Sequence, residues 1–507
     1  MQIHHLVRRA AAAVLCLAAA GPAIADYSAD PNAPLVIRAT ASDDVQPKVA
    51  AAPGGGSYVS YFSGTGYDVM LTRLDSAGNA VWKPAGLLVE DRGNSSTTDY
   101  GLASDAAGNA YLAYEVGTAI ICSSVAPDGT IRWRKTVSFA AGGSVGRVTV
   151  ASDGFIWVAF IEGSATRVQR LDADGNASFP TGVQLAETGA SMFSADIQPS
   201  ADGAVIVSCV RYTTFTGAKI LRAHRVNSDG SKPWAAVGTS VFTTGSLQFG
   251  NFPPFIPDGA GGAYFCWYTS SPLQCFAQRV NAAGAVQYGT SGVAVASTST
   301  TERVSPTMTL GADGRLYVFW SQHTPNSSIY GTFAQCFDGG VRQWGDNGAA
   351  VAPLATTYSR TWATGTRLNG GIACFYDDSP SATQDNIRCG ILSPKGTVTQ
   401  TIDVAVNSGV KYRLVSADGV SDGALLFWQG GPSVGASDVF GARMNADGTL
   451  GAPPAGNPAD LNGDSVVNAA DLTILLGQWG SAGSADLNGD GIVGAPDLAI
   501  LLGAWTA

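Results

Sequence analysis

Two stretches near the C-terminus, "DLNGDSVVNAAD" and "DLNGDGIVGAPD", place oxygen-bearing side chains at the same intervals. In the first, Asp460, Asn462, Asp464, Asn468 and Asp471 fall at positions 1, 3, 5, 9 and 12. The same positions of the second hold Asp486, Asn488, Asp490, Gly494 and Asp497. Position 7, Val466 or Ile492, would contribute its backbone carbonyl. Calcium is a hard cation that takes roughly six to eight oxygens, and alternating side chains on a tight loop supply them, the last carboxylate arriving from a helix start. The spacing predicts two calcium ions, one per loop, with Gly494 offering only backbone or a bound water.

The remaining candidates for chemistry are weaker. "YDDSPSATQDN" groups Asp377, Asp378 and Asp385 in an inner hairpin loop, and paired carboxylates bind metals or transfer protons. Its turn-forming composition reads instead as a solvated loop. His323 in "SQHTPNSS" reads as a surface histidine. Arg211, Arg315, Arg360 and Arg413 are scattered, and nothing in their spacing marks a convergent trio. No GxSxG, HExxH or phosphate-binding loop occurs, so no catalytic residue and no organic cofactor is assigned.

Each calcium-type loop runs into an apolar stretch, "DLTILLGQW" or "DLAILLGAW". Leu472, Leu475 and Leu476, and likewise Leu498, Leu501 and Leu502, recur at helical packing spacing, with Trp479 and Trp505 expected to cap a small core. The loops are of EF-hand type, with two departures: Asp instead of Glu at position 12, and Ser465 against Gly491 at position 6. Over residues 460–505 this duplicated loop-plus-helix resembles the type I dockerin domain. The resemblance implies one calcium per loop, a cohesin domain docking on one repeat's helix, and a place in extracellular polysaccharide degradation. That family's partner-reading loop positions 10 and 11 are Ala469/Ala470 and Ala495/Pro496 here, apolar where cellulosomal examples often carry hydroxyls.

The elements ahead of this tail form one motif repeated eight times. "GGSYVSY", "GNAYLAY", "GFIWVAF", "DGAVIVS", "GGAYFCW", "GRLYVFW", "GGIACFY" and "DGALLFW" align as the first strand of each unit. They end on Tyr61, Tyr114, Phe160, Ser208, Trp267, Trp320, Tyr376 and Trp428. A second column of Asp/Asn-Gly turns follows, and Trp82, Trp133, Trp234 and Trp344 just beyond them are expected to begin or precede a third strand and pack on the neighbouring unit. Short apolar strands at a repeat of about 50 residues, without helical periodicity, predict an all-β fold, a β-propeller of eight four-stranded blades, with a solenoid as runner-up and seven blades if one unit is wrongly divided. "LVIRATASDDVQPKVA" aligns with "VAVASTSTTERVSPTM", so the N-terminal strand is expected to complete the last blade and close the ring. The turns "NSDGSKPW" and "APDGTIRW" resemble the Asp-box of sialidases, a structural turn in that family, so the resemblance implies no hydrolysis.

Composition bounds the rest. The net charge is −10 with no Lys/Arg run, which makes nucleic acid and anionic membranes poor partners. "MQIHHLVRR", an apolar stretch and "PAIA" form an export signal expected to be cleaved after Ala25, and Leu15 before Cys16 departs from a lipoprotein signal. No later stretch is long and apolar enough to span a bilayer. Of the remaining cysteines, Cys266/Cys275 and Cys374/Cys389 are candidates to bridge hairpins, while Cys122, Cys209 and Cys336 have no evident partner; buried thiols are the equal alternative.

The sequence thus predicts four segments: a signal at 1–25, a propeller over 26–452, a linker over 453–459 and a calcium domain over 460–507. The functional expectation is a secreted, calcium-binding, dockerin-type protein whose propeller binds carbohydrate or protein. The alternative is a glycoside hydrolase, or an accessory to polysaccharide degradation, with its site at the propeller mouth.

Overall fold

The computed structural model describes residues 26–506 except 249, 299, 355–357, 454–456 and 463–465. The export signal, part of the linker, and Asp464 and Ser465 of the first calcium-type loop therefore lie outside the described residues.

Eight antiparallel sheets follow one another along the chain: blades 1 to 8 over 44–90, 101–136, 143–185, 191–240, 255–294, 302–352, 359–405 and 410–444. Seven sheets are four-stranded and blade 6 has five, because Val341–Arg342 and Ala349–Ala352 both pair with Gly331–Asp338. Successive innermost strands touch each other, and the last, Val410–Asp418, touches the first, Asp44–Ala52. The array is thus a closed propeller and not a solenoid.

Closure uses the chain end, as the strand alignment predicts. Leu35–Arg38 adds to Ala436–Met444 as the outermost strand of blade 8, burying Leu35 and Ile37 beside Tyr61 and Phe427. Tyr27 N–H donates to the Ala77 carbonyl of blade 1 at 2.8 Å, and Val406 N–H to the Pro31 carbonyl at 2.8 Å. A sheet ring sealed this way has no free inner or outer seam between its first and last blade.

The aligned aromatic strands are the second strand of each blade, not the first, since an inner strand precedes every one of them. Second strands have both faces covered by neighbouring blades, so their apolar residues run without alternation. All eight residues of the aligned column are buried, Ser208 included. The core is correspondingly made between blades: Tyr58, Phe62 and Leu71 of blade 1 pack with Leu112, Tyr114 and Ile121 of blade 2.

The Trp column sits at the approach to the outermost strand or, for Trp133, within it, one strand later than the sequence spacing predicts, because the inner strand shifts the count. Its role as an inter-blade contact holds. The indole N–H of Trp82 donates to Pro127 O of blade 2, Trp133 to Ala173 O of blade 3, Trp234 to Ala282 O of blade 5 and Trp344 to Pro394 O of blade 7, at 2.9–3.1 Å. Each ring covers the glycine of that next turn; a Cβ on Gly284 would lie 2.6 Å from Trp234, at a φ of +81° that already disfavours any side chain. Tyr27, Phe179 and Tyr288 cover Gly78, Gly230 and Gly340 in the same way, and Ile402 covers Gly448.

All seven cysteines of the described residues are buried free thiols. Cys374 pairs in register with Gly390, and Cys389 with Phe375, so their side chains leave opposite faces of the sheet. Cys266 and Cys275 share a face, offset by two positions.

The tail carries α1 (Ala469–Gly477) and α2 (Ala495–Gly503). Its core is pseudo-symmetric: Ala459, Val467 and Leu475 of one repeat meet Ala485, Val493 and Leu501 of the other. Leu472 and Leu498 pack against it half-buried, whereas Leu476, Leu502, Trp479 and Trp505 are exposed and do not cap the core as expected. Helices of nine residues bury only one narrow stripe each, which the second leucine of each pair misses.

Candidate functional site

Five of the innermost strands break register at the same place, where a β-bulge carries a non-glycine residue in the left-handed region: Gln46 of blade 1, Val145 of blade 3, Ser305 of blade 6, Trp362 of blade 7 and Arg413 of blade 8, all with φ between 52° and 56°. Each such residue costs about 1–2 kcal/mol relative to glycine. The bulge re-aims the side chain away from the sheet.

Four of these residues belong to consecutive blades (6, 7, 8 and 1) and line one axial cavity of about 420 Å³. Pro47, Asn251, Pro253, Pro254, Tyr268 and Pro306 complete much of its wall. Trp362 is 49% exposed, which sets it apart from the fully buried tryptophans 157, 267, 320 and 428. Arg413 is also exposed and, among the described residues, its side chain makes no hydrogen bond or ion pair. An exposed indole face beside polar groups in a concave mouth is suited to a sugar ring or another flat amphipathic group.

The other side of the channel is organised differently. Lys48, Arg147 and Asp196 come from blades 1, 3 and 4, Asp99 lies just ahead of blade 2, and the four alternate in sign. Lys48 Nζ lies 2.8 Å from Asp99 Oδ1, and Arg147 Nη2 lies 2.6 Å from Asp99 Oδ2. Arg147 also donates to Tyr100 O and Ala195 O, tying three blades together. Burial opposes the charge on Asp99, but Lys48 and Arg147 outweigh it and hold the carboxyl well below its usual range. Asp196 is raised by burial, against the pull of Arg147.

The acidic hairpin is not a solvated loop. Asp377, Asp378 and Asp385 lie in paired strands and are buried. Asp378 meets Arg360 and Arg388 at 3.1 Å each. Lys411 Nζ donates to Asp385 O at 2.7 Å and Asn407 O at 2.6 Å, while its backbone N–H donates to Asp385 Oδ2 at 2.8 Å. Burial, then the charge of Asp385, pushes the Asp377 carboxyl up to about 8, and burial lowers the Lys411 ammonium to about 8. None of the three aspartates lines the axial cavity. His323 likewise ends a strand and is buried, its Nδ1 2.8 Å from Ser327 O and its Nε2 3.2 Å from Glu302. Both segments read as loops from composition because their polar residues continue a strand and find charged partners across it. Arg211 pairs with Glu187, and Arg315 with Asp338 at 3.3 Å, so of the four arginines singled out only Arg413 reaches the cavity.

In the tail, the two loops share a closing device. Asp471 Oδ1 accepts from Leu461 and Asn462 N–H, and Oδ2 from Asn468 N–H. Asp497 repeats it with Leu487, Asn488 and Gly494 at 2.7–3.0 Å. Burial opposes ionisation at both carboxyls, but three backbone donors outweigh it and hold each below its usual range. Asp486 accepts from Gly489, Asp490 and Gly491 N–H, and Asp490 accepts from the Asn488 amide at 2.8 Å. This all-oxygen donor set has the chemistry a hard cation takes. Among the described residues, which omit Asp464, no three His, Cys, Asp or Glu side chains converge closely enough to hold an ion. Val466 and Ile492, whose carbonyls occupy position 7, are themselves exposed.

The bulge residues were missed by reading strands alone. The signal lay in the alignment that predicts ring closure: "DVQPKV" and "RVSPTM" place Gln46 and Ser305 in one column, each before a proline, and extending it to "RTWATG" and "KYRLVS" adds Trp362 and Arg413.

No family model matches the chain, and no curated protein does. Among solved structures, an ulvan lyase described as a new family of polysaccharide lyase is 11% identical, with a TM-score of 0.45, over 84% of this chain and 95% of that one. Virginiamycin B lyase from Staphylococcus aureus is 15% identical, with a TM-score of 0.36, over 68% and 94%. Oligopeptidase B from Leishmania major is 10% identical, with a TM-score of 0.45, over 77% and 53%. The β-propeller itself is established by this chain's own closed ring of eight sheets.

Proposed function

We propose that this chain is an exported binding protein: residues 1–25 direct export and are removed after Ala25, 26–452 form a ligand-binding propeller, 453–459 link it to the tail, and 460–507 form a dockerin-like domain holding two calcium ions. The ligand is a carbohydrate chain taken at the axial mouth. The observation that carries this reading is Trp362, an exposed indole held in a strained bulge at the cavity wall, where every other aligned aromatic serves the core. Strain of this kind persists where a function repays it.

The tail would serve attachment. Asp460, Asn462, Asp464, Val466, Asn468 and Asp471, and their counterparts Asp486, Asn488, Asp490, Ile492, Gly494 and Asp497, would hold the ions, which would stiffen the loops that present the helices. Leu476, Trp479, Ile500, Leu502 and Trp505 are exposed on this small unit, and such an apolar surface supports docking of a cohesin-type partner.

The test is a panel of soluble polysaccharides presented to the purified chain in affinity electrophoresis. Retardation by at least one of them, lost in Trp362→Ala, is expected; retardation unchanged by that substitution would remove the mouth as the site.

A further inference from the structure

The two sides of the axial mouth differ in how their charge is disposed. On the side of blades 1–4, Lys48, Asp99, Arg147 and Asp196 alternate; Lys48 and Asp99 line the cavity too, and Lys48 and Arg147 both contact Asp99. Those charges are met within the protein and leave little for a ligand. Across the cavity, Ser305, Trp362, Arg413 and Gln46 form an arc in which only Arg413 is charged. Among the described residues its guanidinium has no partner.

We infer that the ligand of this mouth is an acidic sugar chain, in which a pyranose stacks on Trp362 while its anionic substituent, a uronate carboxylate or a sulfate ester, pairs with Arg413 on the next blade. The inference rests on the reading of the propeller as a carbohydrate-binding module and adds the charge of the sugar. A guanidinium offers a planar, bidentate fork to a carboxylate or sulfate, whereas a neutral sugar entering the mouth would strip water from it with no anion in return. The hydroxyl of Ser305 and the amide of Gln46 flank the pair and are suited to sugar hydroxyls. The net charge of −10 works against polyanions at a distance, but at physiological salt it is screened beyond about 8 Å, so one contact in the mouth decides.

The experiment titrates the full chain with matched probes that differ only in charge: oligouronates (galacturonate, mannuronate and glucuronate chains) against their methyl esters, and sulfated oligosaccharides against their desulfated forms. Acidic probes should bind roughly tenfold more tightly than neutral counterparts, and Arg413→Gln should bring the two within about twofold. The arm showing the larger preference identifies carboxylate or sulfate. Glutamine already occupies the equivalent bulge at Gln46, so the variant should fold, and an unchanged melting curve verifies it. Equal binding of charged and neutral probes, or a preference surviving Arg413→Gln, would overturn the acidic ligand while leaving carbohydrate binding in place. Failure of every probe, charged and neutral, would overturn both.

Discussion

A carboxyl and an ammonium share one buried corner between blades 7 and 8, and each is displaced by burial toward its neutral form. Asp377 titrates near 8 in the fold against about 4 in an unfolded chain, so the unfolded state releases its proton first. Its stabilising contribution is therefore complete below about pH 4 and is lost as pH rises through 8. Lys411 works in the next window: its folded value is lowered, so its contribution is present above about pH 10.4 and is lost as pH falls through 8. Together they place a stability minimum near pH 8. Asp377→Asn keeps the shape and removes the acid limb; denaturant melts should show a flatter profile between pH 5 and 8, with a gain on the order of 1 kcal/mol at pH 8. A profile identical to that of the unmodified chain would contradict the assignment. None of this was readable from "YDDSPSATQDN", because composition cannot show that a strand continues through Asp377 and Asp378 to meet Arg360, Arg388 and Lys411 from distant parts of the chain.

At the level of strands and turns, the sequence was legible wherever one position had one job. The aligned apolar strands, the Asp/Asn-Gly turns and the tryptophans beyond them all fall into repeated places. The error of one strand in their numbering came from the inner strands, which alternate, carry proline and bulge, and so lack a continuous apolar signature. The turn glycines show why the columns belong together: seven leave room for a ring, and Gly448 for Ile402. Gly284→Ala adds a methyl group 2.6 Å from Trp234 at positive φ, and should destabilise the propeller by about 2–4 kcal/mol in equilibrium unfolding. Gly314→Ala, also at positive φ but facing open space, is the control and should cost about 1–2 kcal/mol. Equal costs would show that the Trp234 contact contributes nothing.

Over the whole molecule, two units with different sources of order are strung on one chain. The propeller draws its stability from a ring of inter-blade cores closed by Leu35–Arg38, a closure visible in the sequence because the last repeat lacks its outer strand. The tail buries only a few small and aliphatic side chains, too little for a unit of its size without a further staple. Calcium chelation is expected to melt the tail and leave the propeller's thermal transition unmoved, and titration should return about two ions per chain. A tail transition indifferent to chelation would contradict the calcium assignment. The regular spacing of the oxygen-bearing side chains was evident in the sequence; the outward face of Trp479 and Trp505 was not, since helical periodicity alone does not say how short the helices are.

The central claim is that the mouth of the ring holds a ligand through a residue the fold would be more stable without. Trp362→Gly tests it in a single pair of readings, the unfolding free energy and the affinity for whichever polysaccharide the unmodified chain retains. Glycine relieves the left-handed strain at φ 52°, so stability should rise by about 1 kcal/mol while binding is lost. A fall in stability with binding unchanged would make Trp362 a packing residue and contradict the account.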